Sequence, residues 1–159
     1  MLAGAAVTGT IAAALWLPQR TVLTGLAIAS VAAGYLAAFP GRALVAGAKH
    51  FIAAPIFALG VFAVHPARNL LLPGATFAAL CLGNMLLVES WEQGPPVAPV
   101  TLSLARIALI GAAVGSLSLN VPIAVAAILL LGLDLFGGTL PAELRSVLAD
   151  VSLLTPVVF

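Results

Sequence analysis

Long apolar stretches separated by short polar clusters run through the whole chain. Asp, Glu, Lys and Arg are missing from residues 1–19, 21–41, 50–67, 69–88 and 107–133. A helix needs roughly 20 mostly apolar residues to cross about 30 Å of hydrocarbon, at about 1.5 Å of rise per residue. Backbone amides in lipid must be bonded within their own segment, so these runs predict helices. A transmembrane barrel would alternate apolar and polar residues at period two, and that alternation is missing. The fold class expected is all-α, a polytopic transmembrane bundle of about seven helices.

Proline, glycine and charge mark the breaks. The first predicted helix covers about residues 2–17 and stops at Pro18, with Gln19 and Arg20 as a short turn. The second covers about 21–39 and ends at Pro40-Gly41. A connection carrying Arg42, Lys49 and His50 leads to the third, about 49–64, followed by the turn His65-Pro66-Ala67-Arg68-Asn69. The fourth covers about 70–91; the stretch GPPVAPV at 94–100 then breaks it, because proline removes amide donors. The fifth (about 99–118) and sixth (about 122–136) are separated at Asn120-Val121-Pro122. Gly137 and Gly138 end the sixth, and Pro141 suits the first turn of a last helix at 141–159. Nine residues follow Asp150, about 13 Å of helix, so either the chain is cut before this helix ends, which is the favoured expectation, or its charged first turns lie in a protein cavity. The N-terminus lacks a basic region and a cleavage site, so a retained helix is expected there and not a signal peptide.

Composition narrows the class further. The chain has 159 residues, 63% apolar and 7% charged, with six Lys and Arg, five Asp and Glu and a net charge of +1. Mean hydropathy is +1.24. Soluble domains are about 25% charged. Eleven charges cannot make a water-facing surface, which excludes a soluble globule, a disordered chain and a nucleic-acid binder. A lipid bilayer is the expected partner, and no nucleic acid is. Residues 1–159 form one expected transmembrane domain, whole or part of a larger protein. The single cysteine, Cys81, reads as a small core hydrophobe.

The charges favour one side. Arg42, Lys49, Arg106 and Arg145 fall at or near the loops after the second, fourth and sixth predicted helices, against Arg20 and Arg68 opposite. The positive-inside rule places that side in the cytoplasm, of a bacterial inner membrane in this reading. Glu89, Glu92, Asp134 and Glu143 share it. Small residues four apart, Gly111 with Gly115 and Gly25 with Ala29, predict close helix approach.

Candidate chemistry centres on GNMLLVESWE. Glu89 and Glu92, three apart, project from one helix face. Two carboxylates that close repel and call for a cation or a basic partner. Mg²⁺ binds through one or two carboxylates with substrate phosphates. The plainer alternative is a helix end at headgroup level beside Trp91. Arg42 and Lys49, with His50, suit a diphosphate on the same side, or anionic lipid. Arg106, two turns inside its helix, either faces the bundle interior or snorkels to the interface. Asp134 reads as interfacial, and Arg145 and Asp150, five apart, make a poor pair.

Three segments carry a family resemblance. Tyr35-x-x-x-Phe39-Pro40-x-Arg42, followed by Lys49 and Ala-Leu-Gly at 58–60, resembles the fourth and fifth helices of UbiA-type intramembrane prenyltransferases. LGNMLLVESWE (82–92) falls where that family has its second acidic motif, and LADVSLLTP (148–156) is similar to its last helix. The seven predicted helices would be the third to ninth of nine. The resemblance implies Mg²⁺-dependent transfer of a prenyl group from an isoprenyl diphosphate to an acceptor. Glu89 and Glu92 would be metal ligands, and Asn84, Arg42 and Lys49 diphosphate contacts. Two departures point to a chain that is incomplete or inactive alone. The first acidic cluster would precede Met1, and the second has Glu where Asp is usual. The alternative is a non-enzymatic membrane protein, such as a small transporter or assembly factor.

Overall fold

A computed structural model describes residues 18–38, 48–62, 71–93, 99–118 and 120–158. Among these the chain is all-helical. Six α-helices run in order: α1 (Gln19–Ala38), α2 (Ala48–Phe62), α3 (Leu71–Gln93), α4 (Pro99–Ser116), α5 (Val121–Phe136) and α6 (Ala142–Val158). A 3₁₀ turn, Gly137–Thr139, sits between α5 and α6. They correspond to the second to seventh helices expected from the sequence. The first, at about 2–17, lies outside the described residues.

The breaks work as their residue types dictate. Pro122 occupies the start of α5, where a missing N–H costs nothing. The Leu140 N–H donates to the Gly137 carbonyl at 2.8 Å, closing the 3₁₀ turn. The Arg145 N–H then reaches the Pro141 carbonyl at 3.1 Å and starts α6.

Neighbouring helices run antiparallel. Tyr35 near the end of α1 donates its hydroxyl hydrogen to the Lys49 carbonyl at the start of α2, 3.1 Å away. The rings of Phe62, at the end of α2, and Phe77, early in α3, meet edge to face at 5.8 Å. In α4, Leu109 sits against Gly83 and Gly115 against Thr76. Helix α3 is central and packs against α2, α4, α5 and α6.

Alanine makes up much of the interior, beside large side chains such as Phe77, Leu80, Leu87, Leu109 and Leu130, and large apolar residues also cover the exterior. Ala54, Ala58, Ala105, Ala112, Ala124, Ala126, Ala127 and Ala149 are buried. Leu71, Ile107, Val114, Val121 and Phe136 are more than 60% exposed. An exterior of large apolar side chains is favourable where the surroundings are hydrocarbon, and buried alanine lets backbones approach. Three helical stretches, Leu71–Glu92, Pro99–Ser116 and Val121–Thr139, are long and apolar enough to cross a membrane, and Lys49–Phe62 is a shorter apolar helix. These features support an integral membrane protein.

Of the glycines expected to allow close approach, Gly115 does so and Gly111 and Gly25 do not, while Gly83 joins it from the facing helix. A Cβ on Gly111 or Gly25 would meet nothing within 4 Å. One on Gly83 would lie 2.6 Å from Leu109 Cγ, and one on Gly115 2.9 Å from Thr76 Cγ2. The α3–α4 seam therefore depends on Gly83 and Gly115, one from each helix, and not on a four-residue pair along one.

Candidate functional site at the polar end of the bundle

The antiparallel order brings the start of α2, the end of α3, the start of α4, the end of α5 and the start of α6 to one end. Lys49, His50, Glu89, Glu92, Arg106, Asp134, Glu143 and Arg145 lie on those segments. Of the described charged residues, Arg20 stands at the other end, at the start of α1.

A cleft of about 410 Å³ opens among α2, α3 and α6. Helix α3 contributes Cys81, Asn84, Met85, Val88, Glu89 and Glu92. These positions follow the 3.6-residue period and form one stripe along the helix. The opposite stripe, Leu80, Gly83 and Leu87, is the packed one. Helix α2 supplies Lys49, His50 and Phe57, and α6 supplies Asp150 and Leu153.

Glu89 is the hub of the cleft's charges. Its Oε1 accepts from Lys49 Nζ at 2.9 Å, and its Oε2 lies 2.7 Å from His50 Nε2. The Glu89 and His50 side chains are 12% and 13% exposed, whereas Lys49 is half exposed. The carboxylate thus has the basic partners that its proximity to Glu92 calls for. Glu92 lines the same cleft and forms no ion pair among the described residues.

Asn84 is 4% exposed, and its Oδ1 is buried with no hydrogen-bond partner. A buried acceptor without a donor is uncommon, because it forfeits its hydration without replacement. Cys81, one turn away, is also buried, so it is both a core residue and part of the cleft wall.

An apolar trough adjoins the cleft. It also measures about 410 Å³ and is lined by Ile28, Ala32, Tyr35, Ala53, Ile56, Phe57, Gly60, Val61 and Met85. Phe57 and Met85 belong to both. A smaller hollow of about 150 Å³ shares Ile28 and Ile56 with the trough.

A second ionic pair lies apart from this cleft. Arg106 Nε of α4 donates to Asp134 Oδ2 of α5 at 2.8 Å, with the aspartate side chain 5% exposed. Neither residue lines the cleft. Arg145 lies over the Trp91 ring, 5.3 Å from its centroid, so its contact is aromatic and no ion pair joins it to Asp150.

Of the residues proposed from sequence, the structure brings Asn84, Lys49, Glu89 and Glu92 to one cleft. Arg42 lies outside the described residues. The roles of His50 as a partner of Glu89, and of Asp150 and Cys81 as cleft residues, were not foreseen. A stripe at 81, 84, 85, 88, 89 and 92 would have signalled Cys81, whereas Asp150 arrives from another helix with no local cue.

The same residues bear on magnesium. Both oxygens of Glu89 are engaged by Lys49 and His50. Among the described residues no group of three or more His, Cys, Asp or Glu side chains is placed to hold a metal ion. The arrangement described does not fit a preformed Mg²⁺ site, and no step is derived through the ion.

Comparison with family models, with curated proteins and with solved structures finds no match to this chain. The class supported at this point is a helical protein with apolar spans and a polar, cleft-bearing end.

Proposed function

We propose that this chain is an integral membrane protein of the bacterial inner membrane, akin to UbiA-type prenyltransferases, that binds an isoprenyl diphosphate. One observation carries the reading: a polar cleft holding Lys49 and His50 adjoins an apolar trough, with Phe57 and Met85 lining both. An amphiphile with a compact anionic head and a branched hydrocarbon tail suits that pairing. The head would take Lys49, His50 and the Asn84 amide N–H, while the tail lies against Ile28, Ile56 and Val61.

Lys49 and His50 already hold an anion of their own. Glu89 presents two oxygens to Lys49 and His50, much as a phosphate would. An incoming diphosphate must displace it, and charge-assisted hydrogen bonds to a more highly charged anion supply the driving force. Glu89 so released, together with Glu92, is what the family resemblance would offer to a Mg²⁺ that arrives with the diphosphate. What this chain's described residues support is binding of the diphosphate.

The test is equilibrium binding of geranyl diphosphate to purified protein in detergent, with geraniol as the uncharged control. Saturable binding of the diphosphate that is lost in Lys49→Gln is expected. Equal affinity for diphosphate and alcohol would refute the anion site. The small-transporter alternative gains no support, because Asp134, its candidate coupling carboxylate, is held by Arg106.

A further inference from the structure

The cleft has two chemically distinct walls. Lys49 and His50 stand on the α2 side, and Glu89 already satisfies them. The other wall has Glu92 of α3 and Asp150 of α6, two carboxylates with no ion pair among the described residues, and Asn84. Among the described charged residues that line the cleft, one lysine, Lys49, stands with three carboxylates, Glu89, Glu92 and Asp150. Two acidic groups alone would specify nothing, since helix ends often carry them. The second observation is the buried, unpartnered Asn84 Oδ1 on the same wall. A carbonyl oxygen cannot be satisfied by an anion or by hydrocarbon. It needs a hydrogen-bond donor.

We infer that this wall is a subsite for a primary ammonium group, which donates to Asn84 Oδ1 and is held electrostatically by Glu92 and Asp150. A primary ammonium has three N–H donors and one positive charge, so one small group answers both features. A quaternary ammonium has the charge without a donor. A neutral alcohol has a donor without the charge. The ammonium can come from an aminophospholipid headgroup or from a soluble amine. The subsite shares Asn84 and Glu92 with the isoprenyl diphosphate reading but needs neither Lys49 nor His50, so different variants test the two.

The experiment uses the full chain in nanodiscs of equimolar phosphatidylethanolamine and phosphatidylcholine. Native mass spectrometry then counts the lipids retained after partial delipidation. The two lipids share a phosphate and tails and differ in whether the ammonium can donate. Retention of phosphatidylethanolamine over phosphatidylcholine by about tenfold is expected, the scale of one charged hydrogen bond. Asp150→Asn, at an exposed position that should leave folding intact, is expected to bring the ratio toward parity, as is Asn84→Leu. Asn84→Asp, which keeps an acceptor and adds charge, should raise it. Ethanolamine added as competitor separates the two sources: displacement of the lipid shows that the free amine also binds, and no displacement shows that the headgroup is held as part of a lipid. Parity in the wild type, or a preference that survives both Asp150→Asn and Asn84→Leu, would overturn the subsite. Lys49→Gln should abolish geranyl diphosphate binding without lowering the phosphatidylethanolamine preference, so each proposal can fail without the other.

Discussion

Two ionic clusters sit at the same end of this bundle and do different things. Arg106–Asp134 closes the α4–α5 contact away from the cleft, with the carboxylate almost entirely enclosed. Lys49–His50–Glu89 borders a hollow of about 410 Å³, with its lysine half exposed. The first is a brace. Its aspartate is only 5% exposed and its arginine 43%, so the carboxylate is nearly closed off while the cation still reaches the surface. The second is a set of charges that an outside ligand can rearrange. In a chain with eleven charges, adjacency to space separates a structural pair from a binding pair more clearly than charge alone does.

The contrast can be broken most forcefully at the brace. Arg106→Leu would leave Asp134 enclosed without its cation. A loss of about 3 kcal/mol is expected, the usual scale for orphaning one partner of a buried pair. The double variant Arg106→Leu/Asp134→Leu should recover most of it, since both charges are then gone. Thermal unfolding in detergent checks both. A single variant as stable as the wild type would mean that the pair is no brace.

The seam beside it should be nearly as sensitive. Gly83→Ala puts a methyl 2.6 Å from Leu109 Cγ and 3.2 Å from the Ala105 carbonyl, so α4 must shift. About 2 kcal/mol of destabilisation is expected from such overpacking. Gly111→Ala, with open space around its Cβ, should be neutral or slightly stabilising. The two unfolding midpoints, measured together, distinguish a close seam from a general intolerance of α4.

Much of the helical plan was legible in the chain because lipid-compatible helices need unbroken apolar runs and this sequence punctuates them with proline and glycine. Pro18, GPPVAP and Pro122 mark where helices stop or start, and those positions agree with α1, α3, α4 and α5 within a few residues. The stripe of α3 was half legible: Glu89 and Glu92 were read as one face, and Asn84 as their neighbour. The opposing wall was not. His50, Asp150 and Arg106's partner Asp134 are 39, 61 and 28 residues from the groups they face or join. Such pairings follow from which helix packs beside which, and local spacing does not encode that. Gly83 was invisible for the same reason. Its role depends on Leu109 opposite it.

The cleft pair should matter little to stability. Lys49→Gln and Glu89→Gln are each expected to cost about 1 kcal/mol or less, because half of the lysine is exposed and such pairs contribute weakly. Their effect belongs to binding, where they should differ in sign. Affinity for geranyl diphosphate in wild type and in Glu89→Gln is therefore the most direct measurement of the central claim. If Glu89 holds Lys49 and His50 as a resident anion, its neutralisation should tighten binding, by about fivefold. Weaker binding by Glu89→Gln would mean that the carboxylate helps to hold the ligand, and the displaceable-anion account would be wrong.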